Sequence, residues 1–87
     1  MDKSIHTHNY KAFIALLRKH RQDAGMTQIE LAAHLGETQV FVSKCERGER
    51  RLDLVETIEW CRAIDVSFAS FAIQLDEMLQ DGRPSLS

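Results

Sequence analysis

The sequence predicts an all-α domain, and three observations carry that expectation. Thr27 to Gly48 holds two short helical patterns that share one tight turn. Apolar residues at helical spacing precede it through Phe13, Leu16 and Leu17, and a further stripe follows through Phe68, Phe71, Ala72 and Leu75. With 87 residues the chain is expected to form one small domain without a separate ligand-sensing or catalytic module. Its 44% hydrophobic content is ordinary for a globular chain.

Residues 1–8 read as a flexible leader, in which His6 and His8 lack cysteine or acidic partners at ligand spacing, so no metal is expected. The first helix should span about Asn9 to Asp23, with Phe13, Leu16, Leu17 and a packed, hydrogen-bonded His20 on one stripe and Gly25 ending it. The second starts at Thr27, where Glu30 completes a capping box, and stops at Gly36, where a left-handed C-cap suits glycine. Ile29, Leu31 and Leu35 are its expected inward face, and Ala32 and Ala33 are small enough to admit a close neighbour. Thr38 repeats the N-cap signal and Gly48 closes the third helix. Such a pair of helices is how a helix-turn-helix reads.

At about 100° per residue, Gln39, Val40, Ser43, Lys44 and Arg47 gather on one side of the third helix, and Thr38, Phe41, Val42 and Cys45 on the other. The first side suits the edges of bases in the DNA major groove. Glutamine pairs bidentately with adenine, valine touches a thymine methyl, and lysine reaches guanine. A merely solvated face would more often alternate Glu and Lys.

Residues 49–52 form a basic connection whose Arg50 and Arg51 either follow the phosphate backbone or sit in a solvated loop. Asp53 is the expected N-cap of the fourth helix, with Leu54, Ile58, Cys61 and Ile64 or Asp65 on one face. Ser67 starts the fifth, whose stripe of Phe68, Phe71, Ala72, Leu75, Met78 and Leu79 is longer than DNA contact requires. Together with Trp60 this surplus is either a homodimer seam or the seal of a small core. Residues 9–80 then form the domain, and 81–87 a second loose tail.

The net charge of −2 is unevenly distributed. Through Leu52 nine basic residues meet six acids, a balance of +3, whereas from Asp53 onward two arginines meet seven acids, a balance of −5. Phosphate attraction follows the local patch, so the amino-terminal half can dock with the acidic half turned away. Cys45 and Cys61 fall on inward faces and read as reduced packing residues. With no signal peptide or apolar span, a cytoplasmic location is expected and no membrane partner. No nucleophile with a base, glycine-rich phosphate loop or paired carboxylates stands out, so neither an enzyme nor a cofactor is expected.

The run Thr27-Gln28-x-Glu30-Leu31-Ala32-x-x-Leu35-Gly36, continued by Gln39-x-x-Val42-Ser43-Lys44-x-Glu46-Arg47-Gly48, resembles the Xre/Cro-repressor helix-turn-helix family of bacterial and phage regulators. The likeness extends to about Phe71 and implies a compact five-helix, lambda-repressor-like domain with its recognition helix at roughly Thr38 to Arg47. It implies that Gln28 and Gln39 sit together at the DNA, Gln28 near a phosphate and Gln39 at a base. It also implies a structural ion pair between Arg21 and Glu46. Departures from the family pattern are Cys45 for a larger residue, His20 for leucine or alanine, and Asp65 where a glycine commonly ends the fourth helix.

The expected function is sequence-specific binding of double-stranded DNA at a pseudo-palindromic operator by a dimeric repressor, nucleoid-associated when bound. Gln39, Val40, Ser43 and Lys44 are the base-reading candidates, and Thr27, Gln28, Thr38, Arg47, Arg50 and Arg51 the backbone contacts. Alternatives are an antitoxin that covers a toxin with its acidic half, and a protein-interaction module that keeps the fold without binding DNA.

Overall fold

In the computed structural model, which describes residues 3–80 and the side chains from His8 to Gln80, five helices succeed one another: α1 (Lys3–Asp23), α2 (Gln28–Leu35), α3 (Gln39–Glu46), α4 (Leu54–Ala63) and α5 (Phe68–Gln80). The helix α1 begins at Lys3 and not at Asn9, because the stretch between them holds neither proline nor glycine to interrupt it. The expected tail at 81–87 lies outside the described residues.

The helices close on one another because each offers a narrow apolar stripe. Leu17 of α1, Leu31 of α2, Val42 and Cys45 of α3, Trp60 and Cys61 of α4 and Phe71 of α5 are all less than 2% exposed and meet at the centre. In the bundle α2 packs on α3 and α4, while α5 packs on α1 and α4. An edge-to-face series of rings, Tyr10 to Phe13 at 5.4 Å and Phe13 to Phe71 at 6.0 Å, joins α1 to α5. His20 is packed beside Phe71 and its Nε2 lies 2.6 Å from Gln74 Oε1.

Trp60 and Phe71 are thereby corrected from the expected dimer seam to the protomer's own core, each at 1% exposure and out of reach of any partner. Ile29 is not inward either, at 69% exposure. It stands two residues from Leu31, about 200° around the helix, so the two cannot share a face, and α2 buries Leu31 and Ala32 instead. Leu54, expected inward, is 64% exposed because α4 begins beyond the edge of the core, and its buried face is Thr57, Trp60, Cys61 and Ile64. Burial pushes the thiols of Cys45 and Cys61 up to about 11, which keeps them protonated at neutral pH.

The first four helices end alike. After each, one residue turns left-handed, and its own amide and the next bond back to the last turn: Gly25 and Met26 to Gln22 and Arg21, Gly36 and Glu37 to Ala33 and Ala32, Gly48 and Glu49 to Cys45 and Lys44, Asp65 and Val66 to Arg62 and Cys61. Three of these turns use glycine, and the fourth uses Asp65 at φ 58°. The aspartate departs in residue type from the family pattern but keeps its conformation. An L side chain is strained there, so Asp65→Gly should raise the unfolding free energy by about 0.5 to 1 kcal/mol, measured in urea; Asp65→Val should lower it.

Candidate nucleic-acid interface

The turn between α2 and α3 is fixed at both ends by local chemistry. Thr27 accepts from the Glu30 amide at 3.1 Å while Glu30 accepts from the Thr27 amide at 3.0 Å, and these bonds hold the Glu30 carboxyl below its usual range. Thr38 caps α3 by accepting from the Phe41 amide at 3.1 Å. Each hydroxyl spends a lone pair on its helix and keeps its O–H to donate, which suits a phosphate oxygen.

Burial of Val42 and Cys45, with Phe41 half-buried, sets the rotation of α3. Gln39, Val40, Lys44 and Arg47 are therefore exposed on the opposite side with Ser43 half-buried between them, so the structure brings the four base-reading candidates onto one outward face. Val40, 57% exposed, is the apolar residue of this face.

A chain of polar contacts ties this face to the interior. The Arg21 guanidinium grips Glu46 through Nε at 2.6 Å and Nη2 at 2.9 Å, and its Nη1 donates to the Met26 carbonyl at 2.7 Å. Both side chains are under a tenth exposed. Gln28 donates its amide to the same carboxylate at 3.0 Å, and its own carbonyl accepts from Gln39 Nε2 at 2.7 Å. The Arg21–Glu46 pair is thus in place, and Gln28 and Gln39 do stand together. With Nε2 engaged and Oε1 oriented by it, Gln39 is preset along a fixed line from α1 through α3 and α2.

The basic connection is more tightly held than a solvated loop. Arg50 lies over the Phe41 ring at 5.1 Å, donates to the Arg51 carbonyl and pairs with Glu56 at 2.8 Å, while Glu56 also caps α4 through the Asp53 amide at 2.9 Å. These two bonds hold the Glu56 carboxyl below its usual range. Arg51 stacks over Tyr10 at 4.5 Å, and the Tyr10 hydroxyl accepts from the Leu52 amide at 3.0 Å. Arg47 pairs with Glu49 at 2.7 Å and donates to Ser43. The sequence reading missed these partners, although Asp53-x-x-Glu56 carries the same capping-box signal as Thr27-x-x-Glu30. Nothing in spacing flags Tyr10, which reaches Leu52 only through the fold.

Because Arg21 is buried, removing its counter-charge should be costly. Glu46→Ala is expected to lose about 3 to 5 kcal/mol of stability, Glu46→Gln less, and the double replacement Arg21→Met with Glu46→Leu to recover most of the loss. Urea unfolding of the variants as a double-mutant cycle checks this.

A family model described as helix-turn-helix matches residues 17–71. An XRE-family like protein from Pseudomonas syringae pv. tomato str. DC3000, of solved structure, is 46% identical with a TM-score of 0.83, over 87% of this chain and 93% of that one. The clp gene regulator ClgR from C. glutamicum is 28% identical with a TM-score of 0.71, over 82% and 91% of the two chains. An uncharacterized HTH-type transcriptional regulator, y4dJ, of Sinorhizobium fredii (strain NBRC 101917 / NGR234) is 33% identical over 57 residues, 66% of this chain and 74% of that protein. The capped turn, the outward polar face and these likenesses agree: the chain belongs to the XRE-type helix-turn-helix family of DNA-binding transcriptional regulators.

Proposed function

We propose that the protein is a sequence-specific, homodimeric repressor that reads an operator through α3 and keeps RNA polymerase from the promoter it covers. The observation that carries this reading is the contact chain from the buried Arg21–Glu46 pair through Gln28 to Gln39. It presets a bidentate side chain at the opening of the recognition helix, so little rotamer freedom remains to be lost on binding. Gln39, Val40, Ser43 and Lys44 read bases. Gln28 and the hydroxyls of Thr27 and Thr38 hold phosphates, and Arg47, Arg50 and Arg51 hold the strand beyond them. The Arg47–Glu49 pair is more than half exposed on both sides, so a phosphate can take the place of Glu49 at little expense.

The second copy docks on α5. Met78 is 40% exposed, Phe68, Leu75 and Leu79 are half-buried, and a groove of about 540 Å³ opens between α1, α4 and α5. Two-fold pairing would place the two recognition helices about 34 Å apart, which calls for a pseudo-palindromic site. The proposed setting is the cytoplasm, for a protein encoded by a bacterium or a phage; among the described residues no helix is long and apolar enough to cross a membrane.

Sites selected from a random DNA pool supply the test. Gln39→Ala should lose about 1 to 3 kcal/mol on the selected site and little on random duplex; equal losses on both would refute base reading. In sedimentation, Met78→Asp should shift the protein from dimer toward monomer while leaving its helical content unchanged.

A further inference from the structure

A second row of polar and basic side chains runs along α1, outside the residues assigned above. Lys11, Arg18 and Gln22, with the small Ala15 between them, recur at helical spacing within about 60° of one another, and all four residues are exposed. Beside them lies a groove of about 250 Å³ whose opposite wall is the end of α3 at Glu46, Arg47 and Gly48. Arg47 therefore belongs to both surfaces: it ends the outward face of the recognition helix and borders the groove against α1.

The charges around this groove do not cancel. Lys11, Arg18, Lys19, Arg21 and Arg47 meet the carboxylates of Asp23, Glu46 and Glu49, which leaves two positive charges in excess. Lys19 is engaged by Asp23 at 2.8 Å, and Arg21 by Glu46. Arg18 reaches Glu46 only at 3.9 Å, because the carboxylate is already taken by Arg21 and Gln28, and its side chain is 56% exposed. Lys11 has no carboxylate within ion-pair distance among the described residues. Among the cations around this groove, Lys11 and Arg18 are thus the two not held by a close carboxylate. Their separation along α1 is about 10.5 Å, a rise of seven residues, comparable with about three phosphate steps of one strand.

From this geometry we infer that the groove between α1 and the end of α3 seats the sugar-phosphate backbone flanking the major-groove site, with Lys11 and Arg18 as phosphate contacts continuous with Arg47. The inference rests on the DNA-binding reading above and extends its footprint onto α1. Contacts of this kind hold the protein on the duplex without reading sequence.

The test uses Lys11→Gln, Arg18→Gln, their combination and Arg18→Lys in the full chain, with affinity for the selected site and for random duplex measured over a range of salt. A log–log slope of about 0.9 per contact corresponds to about fivefold in affinity between 1 M and 0.15 M salt. Each glutamine variant should therefore bind both DNAs about fivefold more weakly at 0.15 M salt, with a slope shallower by about 0.9, and the double variant should lose about twice that slope. Arg18→Lys should keep the wild-type slope, and thermal melting of all four should match the wild type. Wild-type slopes in the glutamine variants, alongside a Gln39→Ala variant that loses discrimination, would overturn the α1 contact and leave the base-reading assignment standing. A loss confined to the selected site would also overturn it. A wild-type protein that binds neither DNA would remove the DNA-binding reading itself and the α1 contact with it.

Discussion

The Arg21–Glu46 pair is the constraint on which the rest of the structure depends. At eight residues α3 is too short to be stable alone, so its existence and its orientation come from what it packs against. On its apolar side Val42 and Cys45 fix the rotation, but apolar contacts are non-directional and tolerate sliding. The two-pronged grip on Glu46, with the Met26 carbonyl holding the remaining edge of Arg21, adds direction. Moving α3 along its axis would strand a buried charge, which is far more expensive than repacking a methyl group. Stability is thereby traded for register, and register is what a helix lying in a groove of fixed dimensions requires.

Most of this architecture was legible because it is written in local signals. Thr27, Glu30, Gly36, Thr38 and Gly48 each act on neighbours within one turn, so their spacing alone places α2 and α3 to within a residue. The outward face of α3 was legible for the same reason, since one helical period separates Gln39 and Val40 from Ser43 and Lys44. What escaped were distinctions that need the third dimension. Whether Trp60 and Phe71 seal the protomer or join two of them depends on where α1 lies, and the placement of α1 is not encoded in the spacing of α4 or α5. Ile29 and Leu54 show the limit of treating every aliphatic residue near a stripe as part of it, for one is on the wrong side of its helix and the other is past the end of the core. The partners of Arg47, Arg50 and Arg51 lie within reach only because Glu49, Glu56 and Tyr10 are brought up by a turn, a cap and a distant helix.

Held arginines alter how the basic surface works. A free arginine brings high rotamer entropy to an interface and loses it there, whereas Arg50 on Phe41 and Arg51 on Tyr10 have already lost much of theirs in folding. Aromatic support uses the guanidinium face, which leaves the edge of Arg51 to donate, while the edge of Arg50 is partly engaged by Glu56 and the Arg51 carbonyl. Glu49 and Glu56, paired with Arg47 and Arg50, lower the net charge of this surface but leave it positive.

Cys45 and Cys61 carry a separate consequence. Each sits at the centre where all five helices meet, with no exposure and a thiol that burial keeps protonated. An oxidant or an alkylating reagent in the surrounding solution meets neither sulfur while the bundle is closed. Their rate of chemical labelling is therefore a clock for the opening of the bundle, built into the chain and needing no probe: a stable protomer labels slowly, and anything that clamps it shut slows the clock further.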